Sequence, residues 1–134
     1  MGEDDEILAA NAAYYRAFAG GDFAAMSRIW APDQVSCVHP GWPVLVGRAA
    51  VLESWQGILG NLGPERIVFH EATAMVAGDE GRVLCIEVIG TVAFAASNWF
   101  RRIDGIWRMI HHHASPIALQ VDDDAPEPRS RRLN

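Results

Sequence analysis

Apolar side chains recur through residues 3–19 at Ile7, Leu8, Tyr14, Tyr15 and Phe18, with Asn11 the one polar member of the stripe. The spacing is helical. Gly20-Gly21 supplies a left-handed stop, and Asp22 a cap for a second helix carrying Phe23, Met26, Ile29 and Trp30. Pro32 closes this helical pair. Val35-Ser-Cys-Val-His39 then reads as a short strand entering Pro40-Gly41-Trp42-Pro43, a stiff irregular loop. Between Arg48 and Leu59 the helical period returns at Val51, Leu52, Trp55, Ile58 and Leu59, ended by Gly60 and Pro64. Beyond it, residues 65–77, 82–94, 95–103 and 106–115 are rich in Val, Ile, Phe, Trp and Thr and read as strands, with turns at Gly78–Gly81 and at Asp104-Gly105. Short connections demand antiparallel pairing, because a parallel pair needs a crossover of about a dozen residues. The pattern predicts an α+β fold, three helices followed by a strongly curved, mostly antiparallel sheet, a cone whose open end is a pocket.

Length and composition narrow the function classes. The 134 residues suit a single domain over residues 1–121, followed by a charged, proline-bearing segment, 122–134, that reads as a mobile tail. A formal charge of −6 disfavours nucleic acid and anionic membranes as partners. All 11 basic residues are arginine, so Schiff-base chemistry, a phosphate-loop lysine and a lysine base are excluded. No apolar run approaches the ~18 residues of a membrane span, and the acidic start Gly2-Glu-Asp-Asp-Glu6 is unlike a signal peptide, so a cytoplasmic protein is expected. Cys37 and Cys85 sit in apolar runs with no CxxC partner and read as small buried hydrophobes. No glycine-rich phosphate loop or nucleophile elbow is present, and no cofactor is expected.

Several local patterns carry a resemblance. Gly21-Asp22-Phe23 with Ala25-Met26, the proline-bounded loop after Trp30, Asp104-Gly105 followed by Trp107, and the Trp107-to-Ser115 string with its histidines resemble the nuclear transport factor 2-like superfamily. The likeness is to its SnoaL-like branch, and within that to the association domain of calcium/calmodulin-dependent protein kinase type II, over roughly residues 5–118. It implies a cone-shaped fold that pairs as a homodimer, or something larger, through the outer face of the sheet. It also implies cofactor-free acid–base chemistry, such as isomerisation, dehydration or cyclisation, on an apolar carbonyl compound. The alternative it implies is a non-catalytic module that binds a ligand or assembles subunits.

Strand alternation puts His111 and His113 on one face and His112 on the other. A two-residue Asp104-Gly105 turn would set Asn98 and Phe100 beside Met109, His111 and His113, whereas a three-residue loop from Ile103 would set them beside Ile110 and His112. The resemblance favours the second arrangement. Pocket arginines of the association domain align with Asn98 and Ala114 here, so its small-carboxylate ligand is not implied. Glu87, alone among Val83-Leu-Cys-Ile and Val88-Ile89, is a carboxylate whose burial would raise its pKa. His112, Glu87 and His39 are therefore the candidate proton carriers. Tyr14, Trp30, Trp42, Trp55, Asn98 and Phe100 are the candidate pocket lining for a small apolar or aromatic molecule. His111 and His113 joined by His39 or Glu87 would suit zinc or iron, but no local motif fixes their distances and no metal is expected.

Overall fold

Residues 2–118 are described by a computed structural model; the segment 122–134 lies outside the described residues. Helix α1 (Glu3–Gly20) begins with Glu3, Asp4, Asp5 and Glu6, whose charges complement the positive end of the helix dipole. It ends at Gly21, which takes the left-handed conformation at φ 63° and donates its N–H to the last-turn carbonyls. Asp22 caps α2 (Phe23–Ile29), its carboxylate accepting from Ala25 N–H at 3.0 Å. Strands β1 (Ser36–Val38) and β2 (Leu45–Val46) flank the proline loop, and α3 (Arg48–Leu59) follows. The Arg48 guanidinium holds this corner together by donating to the carbonyls of Ser27, Trp30 and Ala31.

Four long strands complete the chain: β3 (Ile67–Ala77), β4 (Glu80–Ile89), β5 (Val92–Ile103) and β6 (Ile106–Pro116). The sheet order is β2-β1-β6-β5-β4-β3. All neighbours are antiparallel except β1 and β6, which can run parallel because half of the chain, residues 39–105, serves as their crossover. The boundary expected between residues 94 and 95 falls instead at Gly90-Thr91, a two-residue turn with Gly90 at φ 63° joining Ile89 to Val92. Likewise β4 starts at Glu80, directly after Gly78-Asp79. Helix α1 lies across the concave face, burying Ile7, Tyr14 and Tyr15, while α3 brings Val51, Trp55 and Leu59 over the same core. Among the described residues no helix is long and apolar enough to cross a membrane.

The Asp104-Gly105 turn has two residues, with φ of 52° and 80°, as a type I′ hairpin requires. Below it Phe100 pairs with Met109, but the register shifts between Trp99 and Phe100, so that Asn98 pairs with His112. Ile110 is the extra residue. Each register weighed from sequence therefore holds for half of the strand: the short turn sets Phe100 and Met109, and a bulge then turns His112 inward with Asn98 and Ala114. His111 and His113 face outward, where His111 Nδ1 lies 2.7 Å from Ser36 Oγ.

Gly81, paired with Phe100 on the inner face, is packed closely under Ile7 of α1. A Cβ there would lie 2.7 Å from Ile7 Cδ1 and 3.0 Å from the Met75 carbonyl oxygen. Gly81→Ala is expected to cost about 1–3 kcal/mol through overpacking, read as a lower urea midpoint with the slope unchanged. A midpoint equal to wild type would mean that α1 is free to shift.

Candidate functional site

Alternation along β4 turns Val83, Cys85 and Glu87 inward, and the bulge in β6 delivers His112 to the same interior. From above, α1 contributes Asn11, Tyr14 and Tyr15. Glu87 and His112 retain only 3% and 1% of their accessible surface. Their hydrogen bonds run through one amide. Asn98 Nδ2 donates to Asn11 Oδ1 at 2.9 Å and to Tyr15 Oη at 3.0 Å. Tyr15 in turn donates its proton to Glu87 Oε2 at 2.7 Å. With the Asn98 NH₂ committed to acceptors, its Oδ1 must accept from His112 Nδ1–H, 2.6 Å away. That bond fixes the tautomer and leaves a lone pair on His112 Nε2, which stands 3.9 Å from Glu87 Oε2.

Desolvation pushes the Glu87 carboxyl up to about 7, against the opposing pull of the Tyr15 hydrogen bond. Burial drives His112 down to about 3, helped by its histidine neighbours. The resting pair is thus a neutral imidazole beside a carboxyl poised between its protonated and ionised forms near pH 7. At 3.9 Å the two atoms face each other but are too far apart to bond directly. Burial and the nearby Glu87 raise both tyrosines, which stay protonated donors. The Tyr14 hydroxyl and Asn11 Nδ2 are buried without a hydrogen-bond partner, although Tyr14 packs against His112 with ring centres 5.3 Å apart.

His39 belongs to a second cluster. Its Nε2 lies 2.9 Å from Ser54 Oγ, Cys37 Sγ is 3.6 Å from the same nitrogen, and burial lowers the ring to about 4. The ring centres of His39 and His112 are 6.3 Å apart, with no hydrogen bond between them. Ser54 also lines a cleft of about 1080 Å³ at the open end of the cone, between the end of α1, α3 and the Ile67–Ile89 pair. Phe18 lines this cleft and packs edge to face, at 4.9 Å, on the fully buried Trp55.

The six lining candidates do not share one cavity. Trp42, 45% exposed, stands at the cleft, whereas Tyr14, Trp30, Trp55 and Phe100 are fully buried and Asn98 holds the polar network. The histidines considered for a metal are separated by the sheet itself, and among the described residues no three His, Cys, Asp or Glu side chains converge. Tyr15 and Ser54 were not singled out from sequence. A tyrosine on a helical stripe and a serine in mid-helix carry no signal until their partners, 72 and 15 residues away, are known.

The SnoaL-like domain model matches residues 7–120. The structure is similar to that of a candidate dehydratase from the NTF2-like family of Streptomyces avermitilis, at 34% identity and TM-score 0.79, covering 86% of this chain and 96% of that one. It is also similar to a candidate calcium/calmodulin-dependent protein kinase type II association domain from Thiobacillus denitrificans, at 34% identity and TM-score 0.75, covering 82% and 94%. A curated relative, F-box protein SKIP8 of Arabidopsis thaliana, is 25% identical over 120 residues, 87% of this chain, which spans about half (51%) of that protein.

Glu87 makes stability depend on pH in a defined sense. Its folded pKa, about 7, lies above the ordinary 4.5, so its contribution is complete in acid and is lost as pH rises between those values. The lowered histidines act oppositely, but they are common to wild type and Glu87→Gln and cancel in the comparison. Stability of wild type relative to Glu87→Gln should therefore fall by up to about 3 kcal/mol from pH 4 to pH 8 in urea titrations. A difference that does not vary with pH would show that Glu87 is not held protonated.

Proposed function

The chain belongs to the SnoaL-like domain family, with an NTF2-like fold, and from that premise we propose that it binds a small apolar carbonyl compound and rearranges it by cofactor-free acid–base chemistry. The observation that carries this reading is the buried couple of Glu87 and His112, one holding a proton and the other a lone pair, with 3.9 Å between their facing atoms. In this reading His112 Nε2 takes a proton from the substrate while Glu87 delivers its own to the departing or enolising oxygen, as an isomerase or dehydratase requires. The imidazolium and carboxylate so formed attract each other strongly in a dry interior, which offsets the weak basicity of the resting imidazole. Asn98 keeps Nε2 aimed at the reacting centre. The unpartnered Tyr14 hydroxyl and Asn11 amide supply donors for a carbonyl oxygen. Entry requires Phe18 and Trp55 to swing aside. No arginine stands among these interior groups, so a neutral ligand suits them better than a carboxylate.

This predicts that a screen of apolar β-hydroxy and unsaturated ketones yields a substrate. Glu87→Gln and His112→Gln should each lower its turnover at least about 100-fold without loss of folding, measured by initial rates and thermal melting. Full turnover in either folded variant would remove that residue from the chemistry.

A second reading, assembly, rests on the outer sheet face. Leu84, Ile86 and Val88 of β4 project there with Trp99 of β5 and Val38 of β1, on the face opposite to the one that α1 packs against among the described residues. The Arg82 guanidinium lies 5.0 Å over the Trp99 ring on this same face. Apolar alternation of this kind suits a homodimer, and the association-domain likeness supports it. Sedimentation at micromolar concentration is expected to give a dimer or larger, and Ile86→Arg a folded monomer. A wild-type monomer would reject this interface.

A further inference from the structure

Beyond the interior couple, the cleft holds polar groups with chemistry of their own. Ser54 lies on the face of α3 that lines the cleft, and its hydroxyl donates to the Val51 carbonyl oxygen at 2.6 Å. A serine has a single proton, so at the 2.9 Å contact with His39 Nε2 the imidazole N–H must donate and Ser54 Oγ accept. One lone pair is left. Were the ring in its other tautomer, the serine proton would be spent on His39 instead, and Oγ would again face a ligand only as an acceptor.

We propose that Ser54 and His39 form a ligand subsite on the floor of the cleft that selects a neutral aromatic or fused-ring alcohol by accepting its hydroxyl proton. This rests on the proposed small-molecule reading and adds to it the identity of a second polar group on the ligand, remote from the reacting centre. The surroundings specify the remainder. Trp42 offers an exposed ring beside His39, 5.0 Å away and edge to face, on a loop pinned by its own N–H donating to the His39 carbonyl at 2.9 Å. Phe18, Ile67 and Ile89 make the opposite wall apolar. Glu53 and Glu65 border the cleft and outnumber its one arginine, Arg66, which also donates to the Ala19 carbonyl, so the negative balance of the lining disfavours an anion. An ether or ketone of the same shape brings only acceptors and meets the filled lone pair of Ser54, which costs it the hydrogen bond.

The test uses 2-naphthol and its methyl ether, 2-methoxynaphthalene, as probes in equilibrium dialysis at pH 7 with the whole protein. Naphthol is expected to bind about tenfold more tightly than the ether, the worth of one buried hydrogen bond. Ser54→Ala should reduce that preference to within about twofold without changing the affinity for the ether, and Trp42→Ala should weaken both probes alike. The proposal is overturned if wild type does not discriminate, if neither probe binds, or if Ser54→Ala keeps the preference. A preference lost in Tyr14→Phe but kept in Ser54→Ala would place the hydroxyl in the interior, rejecting the cleft subsite while leaving the acid–base reading standing. The wild-type comparison needs no variant, so the test survives even if Ser54→Ala folds poorly.

Discussion

The side-chain amide of Asn98 is the constraint on which the interior depends. It is fully buried, and a buried amide left without partners would cost about 1–3 kcal/mol per group. Its two donors and its acceptor reach Asn11 and Tyr15 on α1 and His112 on β6, so three elements distant in sequence must arrive in one register. Satisfying this one side chain fixes the height of α1 on the sheet and the tautomer of His112. Through Tyr15 it also sets the hydrogen bonding of Glu87. Packing alone would tolerate small slides of α1 over an apolar surface. The amide does not.

Much of the fold is legible because local and global preferences agree. The stripes of α1 and α3, the Gly21 stop and the Asp22 cap are written in residues a few positions apart, and the bounds of α3 coincide with the period read from Arg48 to Leu59. What escapes notice lacks a local signature. Gly90-Thr91 sits between β-branched residues that favour continuing the strand, and β2 is only two residues long. The same division runs through the site. Glu87 and His112 stand out as polar residues facing an apolar interior, but the partners that give them chemical character, Tyr15 on α1 and Asn98 on β5, come from other elements. His39 is visible on its rigid loop, yet its pairing with Ser54 rather than with His112 is a matter of tertiary position.

Strand β4 serves two environments through strict alternation. Along β4, Val83, Cys85 and Glu87 look into the cone, and Leu84, Ile86 and Val88 look out. Glu87 and the outward apolar residues Ile86 and Val88 are thus one peptide bond apart. A partner bound on the outer face would reach the strand that carries Glu87 without touching Glu87 itself.

The bulge at Ile110 also bears on how this strand can change over generations. Deleting one residue near the bulge, or inserting one, shifts the following segment by a single position and exchanges its two faces. In most strands that would replace a functional side chain with an unrelated one. Here the residues on either side of His112 are also histidines, so a slip in either direction still presents an imidazole to the interior. The triple repeat thus keeps an imidazole opposite Asn98 after a one-residue slip in either direction.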